Sequence, residues 1–155
     1  MRVLFASSGR SGPGLEKAVG ERLKRQEKMR ASSRTRYTQI LSEGALRWRF
    51  GSRELMLEQA ERLAAAARAE TGPRVRIGLI PWTVSTNLIP LTSFDLYDSS
   101  TAVVGSSFGT ALMDRPQDVA VYVEQLEQLK QLAVFGLEAA VELERIARDY
   151  RSHLE

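Results

Sequence analysis

Residues able to carry acid–base, nucleophilic or metal chemistry are scarce in this chain. His153 is the single histidine and stands in the C-terminal tail, and there is no cysteine. A Ser-His-Asp triad, a histidine metal cluster, a thiolate zinc site and a disulfide framework all lack their raw material. We therefore expect no metal and no cofactor. Val3-Leu4-Phe5 followed by Ser7-Ser8-Gly9-Arg10-Ser11-Gly12-Pro13-Gly14 invites comparison with a strand entering a phosphate loop. No Gly-Lys-Ser/Thr follows, however, and the glycines do not give Gly-x-Gly-x-x-Gly. Residues 1–14 read instead as a flexible N-terminal arm. The remaining chemical resource is aromatic. Trp48, Phe50, Trp82, Phe94, Tyr97 and Phe108 suit a concave apolar site, since ligand pockets favour aromatic walls with few polar anchors. They also suit the core of a small domain.

The elements that would position these side chains can be read from periodicity. Leu15, Val19 and Leu23 recur every four residues with Met29 near the same side, which predicts an amphipathic helix over about Leu15 to Arg30. Arg34 to Leu41 carries the β-branched and aromatic content of a strand. A middle helix should begin at Ser52, with Glu54 in its first turn and Met56, Ala60, Leu63 and Ala67 on its apolar side, and end at Gly72-Pro73. Val75 to Ile80 alternates like a strand with one buried face, stopped by Pro81. After a loop through Asn87 and Pro90, Ser93 to Tyr97 and Ala102 to Val104 form a hairpin joined at Asp98-Ser99-Ser100.

The last forty or so residues carry a seam at alternating spacings of three and four: Val119, Tyr122, Leu126, Leu129, Ala133, Gly136, Ala140, Leu143, Ala147 and Tyr150. Such a seam fits a coiled-coil dimer, with Tyr122, Leu126, Leu129 and Leu143 as interface residues. It also fits two helices packed on the chain's own sheet. Gly136 costs about 1 kcal/mol relative to Ala inside a helix, so a break near Phe135-Gly136 is expected. The resulting class is α+β: a small, mostly antiparallel sheet with an N-terminal helix, a middle helix and two C-terminal helices, forming one domain over residues 15–152.

Charge and composition bound the function. With 155 residues, 43% of them hydrophobic, the chain can bury a core without staples. No apolar run is long enough to span a bilayer and the N-terminus lacks a secretory signal, so a cytoplasmic protein without a membrane role is expected. The net charge of +3 conceals an asymmetry. Through Arg53 there are thirteen Lys/Arg against four Asp/Glu; from Glu54 onward there are nine against fifteen. A basic first third has the means to meet phosphates. It equally describes the solvated side of a helix, formed by Lys17, Arg22, Lys24, Arg25, Lys28 and Arg30, facing acidic neighbours.

Several short motifs, in order, resemble a known family. Glu21-Arg22-Leu23-Lys24-Arg25-Gln26-Glu27-Lys28-Met29 is similar to the Arg-x-x-Arg-Gln helix of the domain of unknown function that follows the helix-turn-helix in bacterial Xre-type transcription regulators. Leu41 to Arg47 with Glu43, then Gly51, Met56, Gln59 and Leu63, resembles that domain's Glu-x-x-Leu, Gly and Met-x-x-Gln-Leu features. Leu79-Ile80-Pro81-Trp82 is similar to its Val-Leu-Pro-Phe strand end, Ser93-Phe94-Asp95-Leu96 to its Ser-Phe-Thr-Leu hairpin, and Met113-Asp114-Arg115-Pro116 with the Tyr122–Leu129 stretch to its closing helices. The likeness runs from about Leu15 to Tyr150. Two departures stand out: Ser106 occupies the place of the family hairpin's acid, and no helix-turn-helix precedes the first helix.

The resemblance implies a polar cluster of Arg25, Gln26 and Glu43, either a ligand anchor or an ion-pair contact orienting the first helix. It also implies a non-enzymatic regulatory or effector-binding domain without sequence-specific DNA binding of its own, since no element here is suited to enter a groove. Its partner would be a small hydrophobic molecule or another protein, with a homodimer possible in the same frame. Trp82, Phe94 and Tyr97 join Arg25, Gln26 and Glu43 as the ligand-binding candidates. The alternative is an enzyme of natural-product biosynthesis, such as a cyclase, that uses the same pocket for shape and electrostatics rather than a histidine base.

Overall fold

The structure is a computed structural model, and it describes residues 12–31, 34–69, 74–88, 92–105 and 109–152. Residues 1–11 of the expected arm, the Gly72-Pro73 stop, Pro90, Ser106, Phe108 and His153 lie outside them, as do the side chains of Arg25, Gln26 and Met29. The described elements are α1 (Gly12–Ala31), β1 (Tyr37–Ser42), α2 (Glu43–Arg47), α3 (Arg53–Arg68), β2 (Val75–Ile80), β3 (Ser93–Tyr97), β4 (Thr101–Gly105), β5 (Thr110–Met113), α4 (Pro116–Leu132), β6 (Val134–Phe135) and α5 (Gly136–Ser152). The fold is mixed, with two small sheets in place of the single one expected: β1-β2-β6 and β3-β4-β5. Pairing is antiparallel throughout except between β1 and β2, which run parallel.

Local chemistry accounts for most boundaries. Helix α1 starts at Gly12, earlier than expected, because Gly12 takes φ +54° and Pro13 falls in the first turn, where a missing N–H costs no helical bond. Ser52 caps α3, its hydroxyl accepting from the Leu55 N–H at 3.2 Å. Asp98 and Ser99 carry φ +49° and +59°, and the Ser100 N–H donates to the Tyr97 carbonyl at 2.9 Å. Positive φ at both central residues is the type I′ geometry whose twist suits a tight hairpin. The seam breaks where glycine stands: α4 stops at Leu132, Val134–Phe135 pairs with β2, and Gly136 at φ +58° starts α5.

Helices α3 and α5 lie together against the first sheet. Their shared core contains Ala60, Leu63, Ala64 and Ala67 from α3, Ala139, Ala140, Leu143, Ile146 and Ala147 from α5, Ile77 and Leu79 from β2, and Leu46 from α2. The alanines bring the two helices close together. Ion pairs Arg68–Glu144 and Arg151–Glu61 tie the same helices at the rim. The seam therefore serves the chain's own core: Leu143 is fully enclosed and Leu129 is 8% exposed. Neither is at the surface to meet a second copy, which corrects their nomination as interface residues. Tyr122 packs on Phe94 with ring centroids 5.1 Å apart, and Leu126 is half-buried. Helix α4 reaches β2 as well as β3 and β4, so it spans the two sheets.

Strand β2 also departs from expectation. Ile77, Gly78 and Leu79 are all buried, because β2 is the central strand and both its faces are covered. Ile77 and Leu79 face the helices. On the other face Phe135, the register partner of Gly78, lies directly over it, and Arg76 stacks on the Phe135 ring 4.5 Å from its centroid. A methyl on Gly78 would meet that ring at 2.6 Å, well inside van der Waals contact.

Gly78→Ala is therefore expected to lower stability in urea unfolding by about 1–3 kcal/mol, the usual cost of overpacking. The loss should shrink when Phe135→Leu is added; an equal loss in both backgrounds would mean that the ring is not what reserves the space.

Candidate functional site

Strands β1 and β2 end side by side, Ser42 paired with Ile80, and the chain turns at both ends into the same place. After β1 the Ser42 hydroxyl accepts from the Ala45 N–H at 3.3 Å and starts the single turn of α2. That turn carries Glu43, which is only 2% exposed. Its Oε1 accepts from Arg47 Nε at 2.6 Å and from a terminal guanidinium nitrogen of Arg145 at 2.8 Å. Its Oε2 accepts from the Trp82 backbone N–H at 2.9 Å, just beyond β2. Arg47 reaches on to Asp149 at 2.8 Å, Arg145 to Glu142 at 2.7 Å, and the Tyr150 hydroxyl donates to the Leu46 carbonyl at 2.7 Å. One carboxylate thus ties the chain just beyond β2, the turn of α2 and the middle of α5.

The electrostatics follow from this geometry. Burial pushes the Glu43 carboxyl up, but the Trp82 N–H, Arg47 and Arg145 together outweigh burial and hold it below its ordinary value near 4.5. Burial likewise pulls Arg47 down, yet its bonds to Glu43 and Asp149 raise it overall. Bonds to Glu142 and then Glu43 raise Arg145. Burial pushes the Tyr150 phenol up against the pull of Arg47 and Arg49, so its hydroxyl stays a donor at neutral pH. Glu43, Arg47 and Arg145 are each shifted toward their charged forms, and both oxygens of Glu43 are occupied. A carboxylate so engaged is a structural anchor and is poorly placed to accept a proton from a substrate.

Above the anchor sits an exposed indole. The Trp82 ring lies against Gly44, where a methyl would come within 2.9 Å of Nε1, and the Arg47 guanidinium is 5.5 Å from the ring centroid. The ring nonetheless remains 64% exposed, and Trp48, at the end of the same turn, is 79% exposed. Gly44, Arg47 and Trp48 stand at i, i+3 and i+4, so they share one face of α2. These contacts make Trp82 a platform held from below.

The nominated residues do not form one wall. Trp82 sits on α2, Phe94 is engaged by Tyr122, and Tyr97, three residues along β3, is on the opposite face of that strand and half exposed. Phe50 is half-buried. Among the described residues Glu43 is bonded by the backbone of Trp82 and by the side chains of Arg47 and Arg145, and neither arginine was nominated. The Glu43–Arg47 pair was open to detection, since opposite charges four residues apart meet on a helix, but Arg145 is remote in sequence and carried no local signal. A shallow depression of about 240 Å³ lies along the second sheet, lined by Ser93, Phe94, Asp95, Val103, Gly105 and Thr110. Its walls are largely polar and only Phe94 belongs to the aromatic set. Among the described residues no group of His, Asp or Glu is arranged to hold a metal ion, and no helix is long and apolar enough to cross a membrane.

Because the fold holds Glu43 below its unfolded value, its contribution to stability is complete above about pH 4.5 and is lost as pH falls through the lower folded value. Glu43→Gln should cost about 2–3 kcal/mol at pH 7, the range for removing charge-assisted bonds whose arginine partners stay partly in water. The same change should flatten the acid limb of the stability curve measured by chemical unfolding between about pH 3 and 5. An unchanged acid limb would remove Glu43 from the account of acid stability.

Comparison with curated proteins and with solved structures returned no match. A family model matches residues 1–145, which takes in the stretch expected to be an arm as well as Glu43, Arg47, Trp82 and Arg145. On that coverage the chain belongs to the family described as a domain of unknown function, DUF5753.

Proposed function

We propose that this chain is a non-enzymatic regulatory domain, akin to the C-terminal part of Xre-type transcription regulators, which works by binding a small hydrophobic molecule or a partner protein at the Trp82 face. The observation that carries this reading is the exposed indole clamped onto a buried ion cluster. An aromatic left 64% in water forgoes the roughly 1.5–3 kcal/mol that burying a large apolar side chain contributes. Its backbone is nevertheless fixed by Glu43 and its ring by Gly44 and Arg47. Rigid aromatic anchors of this kind lose little entropy when a partner covers them, which is why they dominate binding energy at interfaces.

Binding is favoured over catalysis because the carboxylate nearest the indole is saturated with donors and ionised. Sequence-specific DNA reading is not part of the proposal, since the Trp82 face presents one short turn and no helix long enough to lie in a groove.

The test is native mass spectrometry on the chain purified from its source cells. A bound molecule or partner chain should accompany the wild type and be missing from Trp82→Ala, whose stability should fall by about 1 kcal/mol or less, the worth of an exposed cation–π contact. A loss of about 3–5 kcal/mol, as for a core tryptophan, with no change in any bound species would contradict the proposal.

A further inference from the structure

The two exposed indoles share their surroundings with an unusual run of sequence. From the end of α2 into α3 the chain reads Arg47-Trp48-Arg49-Phe50-Gly51-Ser52-Arg53, with three arginines and no acid. Arg47 is committed to Glu43 and Asp149. Arg49 is exposed and Arg53 half-buried, and no carboxylate is paired with either among the described ion pairs. The acid closest in sequence, Glu54, is held down by its own backbone N–H and the Ser52 hydroxyl, and then by Arg53 and Arg49. With Arg47 committed, Arg49 and Arg53 against the single carboxylate of Glu54 leave a positive balance on residues 48–54, and Trp48 is displayed to solvent.

From this placement the geometry points to an acidic segment of a partner protein, carrying carboxylates beside an apolar side chain, as what docks on the face of Trp48, Trp82, Arg49 and Arg53. The inference rests on the binding role proposed above and narrows its partner. Arginine and tryptophan together are the side chains most enriched where protein interfaces concentrate their energy. Arginines that stand in no ion pair among the described residues select carboxylates by charge and by bidentate geometry. A nucleic-acid strand has the same sign but fits less well. Arg49 and Arg53 are two cations in no described ion pair, too few to follow a continuous run of phosphates. A peptide with one or two carboxylates can place them at Arg49 and Arg53 alone.

The test is selection of a displayed random-peptide library on the full chain, followed by titration of the recovered peptides with tryptophan fluorescence as the readout. The expected result is enrichment of Asp and Glu beside Leu, Phe or Trp. Affinity should drop about tenfold or more in Trp48→Ala and in Arg49→Ala, as for hot-spot truncations. It should also weaken as salt rises from about 0.1 M to 1 M and screening tightens. Both variants alter exposed side chains, and unchanged melting temperatures confirm that the fold is intact. Neutral or basic peptides, or acidic ones that bind the variants equally well, would overturn the inference. So would oligothymidylate binding more tightly than any recovered peptide and losing affinity in Trp48→Ala, which would assign the face to single-stranded nucleic acid. If the inference fails while native mass spectrometry still finds a Trp82-dependent adduct, the regulatory reading stands with a different ligand.

Discussion

A carboxylate removed from water must be given donors in place of the ones it has lost, or it will neutralise or unfold its surroundings. Glu43 meets that requirement with three donors drawn from three places: the next turn of its own helix, the chain just beyond β2 and the middle of α5. Because each donor is itself fixed, the need to satisfy one buried charge sets the spacing between the parallel strand ends and the C-terminal helix. Arg47 and Arg145 extend the tie to Asp149 and Glu142, and Tyr150 adds a neutral bond to the Leu46 carbonyl. Apolar packing of α3, α5 and β2 supplies most of the stability. The charge cluster gives that packing its register at one end, the use for which buried polar groups are best suited.

Orientation of Trp82 follows directly. The backbone N–H that serves Glu43 belongs to Trp82, and the guanidinium that serves Glu43 lies against its indole. Gly44 leaves room for the ring by having no side chain. The exposed indole of Trp82 is thus held through the most buried polar group at this end of the fold. A surface tryptophan without such support would sample many rotamers, and a partner would have to freeze them on binding.

Sequence periodicity made the long helices legible. Met56, Ala60, Leu63 and Ala67 form the buried side of α3 as expected, Ser52 caps it, and the seam of α4 and α5 breaks beside Gly136. Short elements escaped because their patterns are no longer than a turn of helix or a pair of residues: α2, β5 and β6 have five, four and two residues. The parallel pairing of β1 and β2 was invisible because pairing direction depends on the crossover through α3, not on either strand's composition. At the site, Glu43 and Trp82 stood out by resemblance to a family motif. Arg145 did not, being one of several arginines on an amphipathic helix, and only the fold distinguishes it. The aromatic wall failed for a related reason, since residue type alone cannot say that Phe94 and Tyr97 fall on opposite faces of one strand.

If Glu43 holds the Trp82 backbone in place, amide hydrogen exchange at Trp82 reads it out. Trp82 stands two residues beyond Ile80, the last residue of β2, outside the ladder, and its N–H donates to the Glu43 carboxylate, which is the expected source of its protection. Slow exchange is expected at the Trp82 amide in the wild type at neutral pH. In Glu43→Gln that amide should exchange substantially faster while the Leu79 amide, deep in the sheet, keeps most of its protection. A Trp82 amide that exchanges at the rate of an open loop in the wild type would mean that Glu43 does not hold it.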